Sequence, residues 1–105
     1  MPTYFYVVRS TVADPAKRAA VDAWYSREHF PDAVRVLGAE KAWRFWSVTD
    51  PAVHQATYQF SDQASLERAI ASEANKALVA VYDRDWPEVK RTRELLVLAE
   101  EFGAS

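Results

Sequence analysis

Apolar residues recur along this chain with two periods, and the change from one to the other locates the elements. Residues 4–12 are aromatic and β-branched without Gly or Pro, which predicts a strand. Asp14 before Pro15 predicts a helix start, because the carboxylate can accept first-turn N–H groups and proline needs no partner there. Val21, Trp24, Tyr25 and Glu28 follow at i, i+3, i+4 and i+7, with Ala20 beside them. That stripe carries the helix to about His29. Phe30-Pro31 is expected to break it, since proline disfavours helix in the residue before it. A short second helix over residues 32–37 then ends at Gly38.

Residues 40–49 predict a second strand, Asp50-Pro51 a tight turn and residues 53–60 a third strand. In the third, His54, Ala56, Tyr58 and Phe60 share one face, and Val53, Gln55, Thr57 and Gln59 the other. The first set is expected under helices. A two-residue turn would pair His54 with Ser47 and Tyr58 with Trp43. A slip of one residue would bring in the Arg44 and Trp46 face instead. Ser61 is the expected cap of the next helix, which carries Leu66, Ala69 and Ile70. After a break near Ser72, residues 74–82 resume helical spacing until Trp86-Pro87. Residues 89–102 suit a helix by composition, but a strand there completes the sheet.

The order strand, helix, strand, strand, helix, strand predicts an α+β, ferredoxin-like βαββαβ fold over residues 1–105 as a single domain. Its antiparallel sheet has four strands, with helices on one face. The other face would be left bare, with Val53, Thr57 and several Trp or Val residues in water. Two such sheets packed together remove that cost, so a homodimer through the sheet faces is expected, a dimeric α+β barrel.

Composition narrows the function classes. Thirteen Lys and Arg against fifteen Asp and Glu give a net charge of −2, which offers no basic face for nucleic acid. The absence of cysteine excludes disulfides, thiolate chemistry and Cys-based zinc sites. With neither a leader pattern nor an apolar run of about 18 residues, no membrane partner is expected and the chain is expected to be cytoplasmic. Four Trp, five Tyr and five Phe are a heavy aromatic load for 105 residues. Either they fill the core or they line a dimer interface or ligand pocket.

His29 is the leading candidate for chemistry, as a catalytic acid or base, since an imidazole exchanges protons near neutral pH. The alternative is a helix cap, its charge favourable beside C-terminal carbonyls. His54 and Tyr58, four apart on one strand, are candidate hydrogen-bonding pocket residues or a satisfied core cluster. His29 and His54 with Glu28 or Asp32 lack close ligand spacing, so no metal site is expected. Arg9, Arg44, Arg91 and Arg93 fall in strands, where each needs an anion, Glu94 or a ligand carboxylate, or else pairs at the surface. Without a glycine-rich phosphate loop or a nucleophile elbow, nucleotide binding and serine hydrolysis are not expected.

The run Trp24-Tyr25-Ser26-Arg27-Glu28-His29-Phe30-Pro31, then Leu37-Gly38, then Arg44, resembles the EthD-like proteins of the dimeric α+β barrel superfamily. Those proteins carry an aromatic late in the first helix, His-x-Pro, a Gly about nine residues on and an Arg in the second strand. The likeness covers the first half of the chain; the second half agrees in element order. It implies a homodimer with a pocket between helices and sheet in each subunit. Relatives include cofactor-independent oxygenases, polyketide cyclases and lactone-processing enzymes. On that basis no cofactor is expected, and the ligand is a small apolar or aromatic molecule. The pocket residues would be Trp24, Tyr25, Trp43, Arg44, Trp46, His54 and Tyr58 around His29. The fold alone names no reaction, and a non-catalytic binding module or a purely structural dimer stays open.

Overall fold

The computed structural model describes residues 2–103. Its elements are β1 (Tyr4–Thr11), a 3-10 turn (Pro15–Lys17), α1 (Arg18–Trp24), a π-helical turn (Tyr25–His29) and α2 (Phe30–Leu37). Then come β2 (Lys41–Trp46), β3 (Val53–Phe60), α3 (Gln63–Ala71), α4 (Glu73–Asp85) and β4 (Lys90–Val97). The sheet order is β2-β3-β1-β4, all antiparallel, as the βαββαβ reading requires. The helices lie on one face only, and the extents of 42 × 37 × 21 Å are those of a flat two-layer body.

Local signals place the ends. Asp14 accepts the N–H of Ala16 at 2.9 Å ahead of Pro15. Gly38 takes a left-handed conformation, φ 67°, and returns its N–H to Val34 O at 3.0 Å. Ser72 is extended, ends α3 and caps α4 by accepting from Asn75 N at 3.1 Å. The cap of α3 is Asp62 rather than Ser61: its carboxylate accepts both the N–H of Ser65, at 2.7 Å, and the Ser65 hydroxyl, at 3.0 Å.

The expected break at Phe30-Pro31 does not occur. The helix runs through Pro31, and the turn before it widens. Proline has no N–H to give the carbonyl four residues back, and its ring collides with that carbonyl. Opening the preceding turn relieves both problems: Phe30 N–H reaches past the usual partner to Tyr25 O.

The hairpin takes the slipped register, with His54 opposite Trp46, Ala56 opposite Arg44 and Tyr58 opposite Ala42. Its connection spans residues 47–52 rather than two residues. Ser47 Oγ accepts the N–H of Thr49 at 3.3 Å and of Asp50 at 3.0 Å, and Asp50 accepts that of Ala52 at 3.1 Å. Arg44 and Trp46 therefore face the helices, under α1. Trp43, expected among the pocket walls, faces the opposite way and packs on Phe5, centroids 6.4 Å apart.

The core between helices and sheet is built on Tyr6, Val21, Tyr25, Leu37, Tyr58, Phe60, Leu66 and Tyr82. The helix-free face carries Phe5, Val7, Thr57 and Leu96 beside Trp43 and Phe45, which stay 37% and 50% exposed. Arg9 crosses that face to Gln55 at 3.0 Å and Glu94 at 3.5 Å.

Candidate functional site

His29 ends the π turn, inside a continuous helix rather than at a helix end. At about 100° per residue, positions five apart on a regular helix point roughly 140° away from each other. The wider turn swings His29 back over Trp24: the rings stack at 4.6 Å and 16°. The edges of Tyr25 and Tyr82 close on the same imidazole at 5.1 and 5.0 Å. Its Nδ1 is buried without a hydrogen-bond partner among the described residues. Burial and, next, the Arg91 guanidinium hold the pKa of His29 down to about 4, against a smaller opposite pull from Asp32. The ring is neutral at pH 7 and offers a lone pair rather than a charge.

Two cavities meet at this residue. The inner one, about 20 Å³, lies between helices and sheet. It is lined by His29, Tyr58, Asn75, Tyr82, Arg91 and Arg93, with an apolar remainder that includes Leu78. It holds about one water. The outer groove, about 330 Å³, runs between the π turn and α4 along Trp24, Val81, Arg84 and Asp85. His29 and Leu78 belong to both and form the wall between them.

Tyr58 packs on Tyr6 and Phe30, each with centroids 6.0 Å away. Burial raises its pKa, so the phenol is protonated, and its hydroxyl has no protein partner among the described residues. Behind it a closed ring of hydroxyls links Tyr25 to Tyr82 at 3.2 Å and Tyr82 to Ser10 at 2.9 Å.

The remaining expected residues form a second, closed assembly. The Arg44 guanidinium donates to Asp22 at 3.0 Å, to Ser26 at 2.7 Å and to His54 Nε2 at 3.1 Å. Trp46 Nε1 donates to the same Asp22 oxygen at 2.8 Å. These donors, Trp46 first, hold the Asp22 carboxyl below its usual range. Because arginine can only donate, Nε2 of His54 must accept, which puts the ring proton on Nδ1. That Nδ1 has no acceptor among the described residues. His54 is fully buried against Tyr25, at 4.2 Å, and burial followed by Arg44 lowers its pKa to about 4. This assembly ties α1 and the π turn to β2 and β3; none of Arg44, Trp46 and His54 borders either cavity.

Of the eight expected residues, His29 and Tyr58 thus reach the inner cavity and Trp24 the outer groove. Tyr25 supports them from behind, Arg44, Trp46 and His54 brace the helix, and Trp43 lies across the sheet. Sequence reasoning missed Asn75 and Tyr82, and it had Arg91 and Arg93 only among four strand arginines open to a ligand carboxylate. The one available signal was Arg91 and Arg93 at strand spacing on the face of Leu95, which weighs little beside Lys90, Thr92 and Glu94 on the other face. No three of His, Asp or Glu converge to hold a metal ion among the described residues.

No protein-family model matches the chain, and no curated protein sequence matches it. Solved structures do. A variant of SnoaB, a cofactor-independent oxygenase from Streptomyces nogalater, superposes with a TM-score of 0.70 at 16% identity, over 97% of this chain and 98% of that one. An ethyl tert-butyl ether d (ethd) family protein from Bacillus halodurans gives 0.66 at 16% identity, over 96% and 100%. An antibiotic biosynthesis monooxygenase gives 0.57 at 14%, over 92% and 98%. At these identities the likeness shows the fold, and the resemblance to EthD-like proteins holds at that level.

Proposed function

We propose that the protein is a homodimer, joined through its helix-free sheet faces, whose cavity between helices and sheet binds a small aromatic or polyketide-like compound and processes it without a cofactor. His29 is the acid–base residue. Tyr58 orients the ligand through its hydroxyl, and Trp24 forms the apolar wall at the mouth. The observation that carries this reading is the position of His29: a neutral imidazole with an unpartnered ring nitrogen in the wall between the inner cavity and an outer groove that Trp24 borders. The shared fold with a cofactor-independent oxygenase supports it.

Binding can be followed by NMR of the His29 imidazole during titration with naphthol and naphthoate. The expected result is movement of the His29 resonances and weaker binding by His29→Asn, with the fold kept. A compound that binds while the His29 resonances stand still ends the reading. One observation favours a non-catalytic binding protein instead. The inner cavity holds about one water as it stands, so a ring enters only if the wall of His29 and Leu78 parts. Turnover of any bound compound decides between the two.

A further inference from the structure

The four arginines in strands differ in what neutralises them. Arg44 is taken by Asp22 at 3.0 Å, and Arg9 by Glu94 at 3.5 Å on the far face. Arg91 and Arg93 both project to the helix side of β4, opposite Ser10 and Val8, and both line the inner cavity. No Asp or Glu lines that cavity. The Arg91 side chain is 9% exposed, and its guanidinium carbon lies over the Tyr82 ring, 3.9 Å from the centroid. Its carboxylate partner, Asp83, is 60% exposed and turned to solvent. Arg93 has no carboxylate in salt-bridge range among the described residues.

A small space with two arginines and no carboxylate among its lining residues favours an anion that enters it. His29 and Tyr58 border the same space but contribute no charge. The space is too small for a ring and large enough for a carboxylate or a phenolate oxygen. The groove across His29 and Leu78 has the size for the ring and offers it Trp24, Leu78 and Val81, with Arg27, Glu28, Asp32, Arg84 and Asp85 around them, and a ligand that spans both spaces requires the wall of His29 and Leu78 to part.

We infer that the ligand of this site is an aromatic or enolic oxyanion, a carboxylate or an ionised phenol or enol, whose charged head is held by Arg91 and Arg93 in the inner cavity while its ring lies in the outer groove against Trp24. The inference rests on the pocket reading above and adds the substrate class. Arg91 is the specificity residue: its fork is oriented by Tyr82 and Asp83, and a carboxylate can take it in a paired arrangement.

The test compares naphthoate with its uncharged amide and with dinitrophenolate, which is ionised at neutral pH, by calorimetry and by the His29 resonances. The expected result is that naphthoate binds about 10- to 100-fold more tightly than the amide, the range of a buried charge-assisted hydrogen bond. Dinitrophenolate shows whether carboxylate and phenolate are both read or one alone; preference for either over the amide supports the inference. Arg91→Met is expected to bring naphthoate to the affinity of the amide. If Arg91→Met does not fold, Arg93→Gln, at a more exposed position, is expected to reduce the same ratio. Equal affinity of naphthoate, dinitrophenolate and amide, each moving His29, overturns the oxyanion inference and leaves the pocket reading standing. No movement of His29 with any of the three at millimolar concentration overturns both.

Discussion

Lowering the pH from 7 to 5 should destabilise the protein by about 4 kcal/mol, and the two histidines should account for most of it. Each has a folded pKa of about 4 against an ordinary value of 6.5. The folded state resists protonation that the unfolded chain accepts, so below about pH 6.5 the unfolded chain binds more protons and stability falls with pH. The loss runs from the unfolded pKa down to the folded one and levels off below it. For one histidine the penalty at pH 5 is about 2 kcal/mol and at pH 7 only a few tenths. Carboxylates enter later: the lowered pKa of Asp22 places its own loss below the histidine window. Against a typical domain stability of about 5–15 kcal/mol the histidine effect is large.

Urea unfolding followed by tryptophan fluorescence, at one protein concentration throughout, measures it. His29→Asn and His54→Gln should each remove about half of the pH dependence. The slope with pH, rather than the absolute stability, is the readout. A midpoint that does not move between pH 7 and pH 5 would refute the burial of both rings as neutral groups. A doubly substituted protein that keeps the wild-type slope would refute their assignment as its source.

The helix-free face makes a prediction about assembly. Light scattering at micromolar concentration should give about twice the 12.0 kDa chain mass. Trp43→Glu, which sets a charge among Phe5, Phe45 and Leu96, should give the monomer; a wild-type monomer would refute sheet-to-sheet pairing. Tyr82→Phe removes the hydroxyl that donates to Ser10 and accepts from Tyr25, and should cost about 1–3 kcal/mol. Unchanged urea stability in that variant would mean the hydroxyl ring contributes nothing.

Much of the fold was legible because its signals are local. The alternation of β3, the Asp14-Pro15 start, the Gly38 stop and the Ser72 break each depend on a residue and its near neighbours. Ser61 and Asp62 are both good caps one residue apart, and only the Ser65 hydroxyl, as a second donor, decides for Asp62. The hairpin register turned on Ser47 and Asp50 closing a longer loop, chemistry that the Asp50-Pro51 signal masked. The π turn was illegible for a sharper reason. Proline has two outcomes in a helix, a break or a widened turn before it, and sequence periodicity reports the first. Because the second occurred, His29 belongs beneath Trp24 rather than at a helix end. Which acid pairs with which arginine was out of reach, since Asp22, Asp83 and Glu94 meet their partners only through the tertiary arrangement.

The two histidines share a depressed proton affinity but differ in what surrounds it, and that difference divides structure from candidate function. His54 is 0% exposed, accepts from Arg44 and borders no cavity. A proton there would face a guanidinium with no new acceptor in reach, so its neutrality holds the Arg44–Asp22 brace together. His29 meets its opposing charge differently. Arg91 also lines the cavity that His29 walls, and a ligand oxyanion between them would offset the guanidinium that, after burial, disfavours the charged imidazole. Ligand charge and imidazole proton affinity are then coupled at His29 and not at His54. The chemistry proposed for this chain therefore depends less on the His29-Phe30-Pro31 run than on what β4 supplies opposite it. In this chain that is a pair of arginines without a carboxylate on the cavity wall.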